Sequence, residues 1–129
     1  MKLMAHKIFI SFSAQDKSIA NSIKRQLAKA GAEVSALQLM PRGVSPIKLG
    51  IEDAIRQSDE VIAIVTRNSA QSQWMSFEIG IAAGLGKKLT PVLVGITPSE
   101  LPPVLRSFHA INLSEFRQYV VRLSGKLRA

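Results

Sequence analysis

The sequence predicts an α/β protein with a five-stranded, doubly wound parallel sheet of flavodoxin-like order and helices on both faces. Two observations predict it. Short, nearly continuous apolar runs such as 7–12 and 60–66 are typical of strands buried on both faces. The longer segments between them carry apolar residues three and four positions apart, which is the helical period. Strands that alternate with helices form βαβ units, and these units build a parallel sheet.

The predicted elements follow one another in regular order. The strand at 7–12 leads into a helix that begins near Ser13 and Asp16, which have the spacing of a capping box, and ends at Gly31. The remaining elements are a strand at 32–37, a loop at 40–46, a helix at 47–57, a strand at 60–66, a helix from 74 to about 86, strands at 89–94 and 108–113, and a last helix from 114. Pro91 indicates that its strand lies near a sheet edge or that the residue lies near the strand start.

Two of the predicted loops should meet at one end of the sheet. In sheets of this order, ligands bind outside the carboxyl ends of the strands, beside the switch point between the first and third strands. This rule places the loop at 12–16 and the segment at 67–74 on one crevice. Asn68 and Ser69 are candidate caps for the helix that follows. Glu78 would then lie about one turn into that helix.

Composition limits the class of protein. The chain has 129 residues, which predicts one domain over 1–129. It has no cysteine and only two histidines, His6 and His109, far apart in sequence, so we expect neither a disulfide framework nor metal catalysis. No apolar run approaches the roughly 18–20 residues that span a bilayer, and the N-terminus does not read as a signal peptide. We therefore expect a soluble, cytoplasmic protein that does not bind membranes.

The net charge of +8 favours anionic partners, such as a dinucleotide or an acidic protein surface. The positive charges are scattered along the chain, and no basic run is interleaved with aromatic residues. Spaced lysines and arginines on helices usually form a solvated face. Direct binding to nucleic acid is therefore not expected.

One carboxylate interrupts an otherwise apolar and small-residue segment. Glu78 lies within 74–85, and Trp74 precedes it by four residues, which places both side chains on one face of a helix. An ionised carboxylate is expensive to bury without partners, and burial raises its pKa, so Glu78 is a candidate functional residue. The alternative is that Glu78 points to solvent from an amphipathic helix. For Trp74 the alternative is simple core packing.

The sequence lacks the motifs of several other classes that share this fold. The predicted third strand ends in Val65-Thr66-Arg67, so the aspartate that receiver domains phosphorylate is missing. The loop after the first strand has hydroxyls but no glycine, unlike the phosphate loop of a flavodoxin. No Gly-x-x-x-x-Gly-Lys loop is present either, so nothing indicates phosphoryl transfer.

Several segments, in the right order, resemble the Toll/interleukin-1 receptor (TIR) domain family, in particular its bacterial members. The strand and loop at 7–16 are similar to the opening of those domains, and Pro41-Arg42-Gly43 is similar to their BB loop. The segments at 58–66 and 89–94 resemble their third and fourth strands. Trp74-x-x-x-Glu78 matches the family's Trp-x-x-x-Glu motif. The resemblance covers nearly the whole chain.

The resemblance implies an activity and a set of site residues. In TIR enzymes this glutamate is the catalytic residue of NAD⁺ cleavage, which implies that Glu78 acts on the bond between nicotinamide and ribose. The products would be nicotinamide and linear or cyclic ADP-ribose. Because nicotinamide leaves as a neutral molecule, the resemblance implies no metal and no cofactor, with NAD⁺ as the substrate. The residues implied to contact it are Phe12, Ser13, Arg42, Gly43 and Trp74.

The resemblance also implies partners. Domains of this kind act as assemblies in which the BB loop of an adjacent subunit completes the site. Self-association and a separate sensor or activator are therefore expected. The implied role is that of an effector in bacterial antiviral defence. One alternative is a non-catalytic TIR module that only recruits other TIR domains. Another is a small nucleotide-binding domain that senses without cleaving. The presence of Glu78 favours the enzyme, because animal adaptors commonly lack the glutamate motif.

Overall fold

The computed structural model describes residues 6–38, 51–70, 73–101 and 103–128. The strands are β1 (Lys7–Phe12), β2 (Glu33–Gln38), β3 (Glu60–Val65), β4 (Lys88–Leu93) and β5 (Ile111–Asn112). The helices are α1 (Lys17–Lys29), α2 (Ile51–Arg56), α3 (Gln73–Gly84) and α4 (Phe116–Arg128). All strand pairs are parallel, in the order β2-β1-β3-β4-β5. The predicted five-stranded flavodoxin-like sheet is therefore confirmed.

The predicted loop at 40–46 and the predicted start of the second helix at 47 lie outside the described residues. The fifth strand is shorter than predicted, because chain turns occupy both of its ends. The Phe108 amide donates to the Leu105 carbonyl oxygen at 3.1 Å, which closes a turn before the strand. After it, the Asn112 amide donates to Glu115 Oε1 at 2.9 Å, and this cap starts a 3₁₀ turn at Leu113.

Gly31 ends α1 as predicted, since its φ of 105° is a backbone conformation that other residues rarely adopt. Pro91 occupies the fourth position of β4, which is an inner strand. On one side it faces Ala63 of β3, whereas the pairing with β5 begins only at Val92. Pro91 therefore lies in a part of β4 that β5 does not reach, which fits the absence of an amide hydrogen.

The core has two halves, one on each face of the sheet. Alternation along the strands sends one set of side chains towards α2 and α3, and the other set towards α1 and α4. The first half contains Phe9, Val61, Ala63, Ile55 and Ile79. The second contains Ile8, Ile10, Ile62, Leu27 and Phe116. No helix in the described part of the chain has the length and apolar character needed to cross a membrane.

Candidate functional site

Ser11 is the polar side chain that β1 directs towards α3. Ile8, Ile10 and Phe12 belong to the core half beneath α1 and α4. Phe9 belongs to the other half, and strand alternation places Ser11 on the same face as Phe9. Ser11 is 1% exposed and stands one residue before the carboxyl end of β1. The Ser11 side chain therefore faces α3 at the carboxyl end of the sheet.

Glu78 is the side chain that α3 presents there. It is 2% exposed, and its neighbours on the same helix, Met75 and Ile79, pack into the core half beneath α2 and α3. Ser11 Oγ donates a hydrogen bond to Glu78 Oε2. The other oxygen, Oε1, is also buried and has no hydrogen-bond partner among the residues that the structure describes. Glu78 is thus a buried carboxylate with one oxygen that no described residue pairs.

Burial raises the pKa of Glu78 from 4.5 to about 7, because the surrounding apolar side chains disfavour the charged form. The hydrogen bond from Ser11 acts in the opposite direction and is the smaller effect. Near neutral pH the carboxyl group therefore exchanges between its protonated and ionised forms. A group in this state can act as a general base or hold a developing positive charge.

Asp16 joins the loops that follow β1 and β3. It is 4% exposed, and three side chains donate to its carboxylate. Ser13 Oγ and Thr66 Oγ1 donate to Oδ2 at 2.9 and 2.6 Å, and Asn68 Nδ2 donates to Oδ1 at 3.0 Å. These contacts confirm the expected meeting of the two loops beside the switch point of the sheet.

The loop after β3 is further held by Ser69. Its hydroxyl donates to the Ile64 carbonyl oxygen at 2.9 Å and accepts from the Thr66 amide at 2.9 Å. The predicted caps Asn68 and Ser69 do not cap α3, because that helix begins at Gln73 and both side chains bond elsewhere. Their hydrogen bonds instead hold the turn that follows β3 and join it to Asp16.

The predicted capping box at Ser13 and Asp16 is also wrong. Neither residue makes a side-chain cap hydrogen bond at the start of the 3₁₀ turn or of α1. The two side chains bond each other, because Thr66 and Asn68 draw the Asp16 carboxylate towards the loop after β3. The spacing of Ser13 and Asp16 predicted a helix cap, but the Asp16 carboxylate instead joins the loops after β1 and β3.

The structure brings together some of the predicted site residues. Ser13 is buried beside Asp16 at the carboxyl end of β1, and Ser11 links that end to Glu78. Phe12 is not brought to Glu78, because it is the next residue along β1 and packs on the opposite face of the sheet. The backbone of Trp74 lies in α3, four residues before Glu78, but its side chain is outside the described part. Arg42 and Gly43 also lie outside the described residues.

The sequence did not indicate a role for Ser11 or Thr66, nor that Asp16 joins the two loops. For Ser11 a signal was present, since it is the polar position within the apolar run 8–12. For Asp16 and Thr66 no local signal existed, because their contact joins residues 50 positions apart. Among the described residues, no group of three histidine or acidic side chains is arranged to hold a metal ion.

The fold and site define a class: a flavodoxin-like α/β domain with a buried carboxylate beside the carboxyl end of its first strand. Within that class the family is shown directly, because the sequence model of the TIR domain matches residues 8–123. The chain belongs to the TIR domain family. A search of curated protein sequences found no match.

Solved structures place the fold among TIR domains. The TIR domain of the Toll-related receptor TRR-2 from Hydra magnipapillata is 20% identical, with a TM-score of 0.69, and the likeness covers 95% of this chain and 98% of that one. The TIR-STING receptor from C. gigas, solved with 2′,3′-cGAMP, is 28% identical, with a TM-score of 0.65. That likeness covers 95% of this chain but only 39% of the receptor chain.

A third similar structure is an enzyme. The CMP N-glycosidase BcmB from Clostridium botulinum is 24% identical to this chain, with a TM-score of 0.61. The likeness covers 89% of this chain and 97% of that one. At this identity it is a likeness of fold.

Proposed function

We propose that this chain cleaves NAD⁺ at the bond between nicotinamide and ribose, with Glu78 as the catalytic carboxylate. The observation that carries the proposal is the buried Oε1 of Glu78, which has no hydrogen-bond partner in the described part of the chain, while Ser11 holds Oε2. Leaving a buried polar atom unpaired costs about 1–3 kcal/mol, and more if the group is charged. Such a cost is typical of sites where a ligand supplies the missing partner.

The chemistry suits a single carboxylate. In NAD⁺ the pyridinium nitrogen is positively charged, so the electron pair of the glycosidic bond passes to nitrogen and nicotinamide leaves as a neutral molecule. No general acid is needed. Positive charge develops on the ribose as an oxocarbenium-like centre, and a fixed anion in a site of low dielectric constant stabilises it. The free Oε1 of Glu78 can meet this charge directly or accept hydrogen bonds from the ribose hydroxyls.

The second half of the reaction needs a place for a proton. In hydrolysis, water attacks the ribosyl carbon and loses one proton, which gives ADP-ribose. A carboxyl group whose pKa burial raises to about 7 is a better base at neutral pH than one at 4.5. Ser11 fixes the orientation of the carboxylate. In the cyclic alternative, a nucleophilic atom of the same ADP-ribose replaces the water.

Membership of the TIR domain family supports the proposal, because the resemblance at Trp74 and Glu78 is to the enzymes of that family. The likeness to a CMP N-glycosidase adds that a chain of this fold houses cleavage of an N-glycosidic bond in a nucleotide. As the resemblance to bacterial TIR domains implies, the activity would serve antiviral defence, either by depleting NAD⁺ or by making a nucleotide signal. Ser13, Arg42, Gly43 and Trp74 stay proposed substrate contacts, whereas Phe12 is dropped because it packs on the opposite face of the sheet.

The proposal includes assembly, with self-association completing the site. The rate per subunit should then rise with protein concentration, since a dilute monomer lacks the neighbouring loop. Sedimentation measured alongside the rate links the two. A rate per subunit that stays constant while the protein goes from monomer to assembly contradicts this part of the proposal.

Nicotinamide release from NAD⁺ tests the activity. Concentrated protein, with a crowding agent, is incubated with NAD⁺, and the products are separated by chromatography for the wild type, Glu78→Gln and Glu33→Gln. Glu33 is an exposed glutamate at the start of β2, so it controls for the loss of one negative charge. We expect wild type and Glu33→Gln to release nicotinamide at equal rates and Glu78→Gln to be slower by about 100-fold or more.

Full activity of Glu78→Gln contradicts the role of Glu78. If no variant releases nicotinamide, calorimetry with NAD⁺ separates the remaining cases. Binding without release indicates a nucleotide sensor or a missing activator. Absence of binding contradicts the proposal and favours the non-catalytic interaction module.

A further inference from the structure

A cavity lies at the opposite end of the sheet from Glu78. Its volume is about 590 Å³, and its wall includes Glu60 and Lys88, the first residues of β3 and β4. Glu60 pairs with Ile8 in the sheet, three positions before Ser11 on β1, which is about 10 Å along the strand. A cavity of this size can hold a small organic molecule. It shares no lining residue with the Glu78 site.

Glu60 anchors the polar wall of this cavity. It is 2% exposed, and both of its oxygens have partners. His6 Nε2 lies 2.8 Å from Oε1, the Tyr119 hydroxyl donates to Oε2, and Lys88 Nζ is 3.8 Å from Oε2. Lys88 Nζ also stands over the Tyr119 ring, 5.5 Å from its centre. Because Glu60 is already satisfied, it does not call for a cation from solution.

Helix α4 supplies the rest of the wall through one stripe of residues. Tyr119, Leu123 and Leu127 are spaced by four and form an apolar surface together with Ile111. Arg122 and Lys126 lie on the same stripe, four residues apart, and both line the cavity. Like charges at this spacing repel each other. Neither forms an ion pair with any residue that the structure describes.

We propose that this cavity binds a small organic anion with an apolar ring, whose anionic group lies between Arg122 and Lys126 and whose ring packs on Ile111 and Leu123. The apolar surface alone would accept a neutral molecule. Arg122 and Lys126, which no described residue pairs, select for negative charge, since an anion between them relieves their repulsion and forms charge-assisted hydrogen bonds. Lys88 also lines the cavity, but its charge is already paired with Glu60, so Arg122 and Lys126 carry the selection.

Phenyl phosphate is a suitable probe, because it joins an aromatic ring to a dianion. Binding to the full chain is followed by ¹H–¹⁵N NMR, with inorganic phosphate and phenol as probes of each half alone. We expect phenyl phosphate to bind with a dissociation constant on the order of 1 mM or below. Inorganic phosphate and phenol should each bind at least about tenfold more weakly. The chemical-shift changes caused by phenyl phosphate should centre on Leu89, Thr90, Ile111 and Leu123.

Three variants on α4 locate the anionic group. Arg122→Gln and Lys126→Gln should each weaken phenyl phosphate binding by about tenfold, because each removes a charge-assisted hydrogen bond. Arg117→Gln is the matched control, since it removes the same charge from an exposed position of α4 that does not line the cavity. It should leave binding unchanged.

Three results would overturn the proposal. One is an equal loss of affinity in Arg117→Gln, which would indicate attraction to the overall positive charge. Another is inorganic phosphate binding as tightly as phenyl phosphate, which would remove the role of the apolar surface. The third is a set of shifts confined to the residues around Ser11 and Asn68, which would place the probe in the crevice near Glu78.

Discussion

Glu60 and Glu78 are two glutamates with the same burial, 2% exposed, at opposite ends of one sheet. Their oxygens differ in what surrounds them. Glu60 has His6, Tyr119 and Lys88 within reach. Glu78 has one hydrogen bond, from Ser11, and a buried oxygen without a partner in the described part of the chain.

The difference shows that burial of a carboxylate does not by itself indicate function. Glu60 is buried as part of a complete polar cluster that ties β3 to α4 and to His6. Among the described residues, Glu78 has too few partners for a buried carboxylate, which is unfavourable for the folded state and favourable for binding a group that supplies them. Since the two side chains are the same, the same substitution can be compared at both.

The largest expected effect is an opposite change in stability for Glu→Gln at the two sites. The pKa of Glu78 is raised to about 7 from 4.5, so the folded protein binds this proton more tightly than the unfolded chain does. Stability therefore falls as pH rises from about 4.5 to about 7 and stays low above that. Glu78→Gln removes this loss and should raise the free energy of unfolding by about 3 kcal/mol at pH 8.

Urea denaturation at pH 5 and pH 8 measures this difference. The gain in Glu78→Gln should be much smaller at pH 5, where the wild-type carboxyl group is largely protonated in the folded state. Glu60→Gln should instead destabilise the protein by about 1–3 kcal/mol, because an amide cannot replace every contact of the carboxylate. A loss of stability at both positions at pH 8 would contradict the distinction between the two sites.

A smaller effect is expected at Asp16, which resembles Glu60 in being fully bonded. Asp16→Asn turns one acceptor oxygen into a donor, which then faces a donor from Ser13, Thr66 or Asn68. We expect a loss of about 2 kcal/mol in the free energy of unfolding. Asp53→Asn, at an exposed position of α2, is the control and should change stability by less than about 0.5 kcal/mol. Equal stability of the two variants would show that the link between the loops contributes nothing.

The smallest predicted effect concerns Ser11, the partner of Glu78. In the wild type, kcat/KM for nicotinamide release should rise about tenfold per pH unit below pH 7 and level off above it, if the ionised Glu78 is required. The hydrogen bond from Ser11 lowers the pKa of Glu78, so Ser11→Ala should move this midpoint to higher pH by about one unit. Ser58→Ala removes another buried hydroxyl, which donates to the Ala54 carbonyl oxygen at 2.7 Å, and should leave the midpoint in place. A midpoint that does not move in Ser11→Ala would show that the pH dependence of kcat/KM does not arise from Glu78.

The fold was predictable because its signals are local. Buried strands such as 60–65 are continuous apolar runs, and helices such as α1 repeat their apolar residues every three or four positions. The ends of the helices and strands were less predictable where side chains bond residues that are distant in sequence. Asp16 has the spacing of a cap, yet it bonds Thr66 and Asn68, about 50 positions away. The short β5 follows from the cap between Asn112 and Glu115, which starts a 3₁₀ turn where the apolar pattern alone predicts a strand.

Of the site, the sequence indicated Glu78 because a charge stands out in an apolar helix. It did not indicate that Ser11 holds one oxygen, since that contact joins residues 67 positions apart. Phe12 and Ser11 are neighbours in sequence, and alternation along β1 separates them onto opposite faces. A residue next to the site in sequence can therefore pack on the other face of the sheet. The cavity beside Glu60 was not predictable either, because His6 and His109, which both line it, lie at distant points of the chain.

The most direct test of the account is the ratio of nicotinamide release by Glu78→Gln to that by Glu60→Gln. The rates are measured at pH 8 and at a protein concentration where the wild type is active, with thermal melts showing that both variants are folded. We predict that Glu60→Gln keeps nearly the wild-type rate and that Glu78→Gln is slower by about 100-fold or more. Equal rates in the two folded variants would contradict it, because the incompletely bonded glutamate would then be no more important to the reaction than the satisfied one.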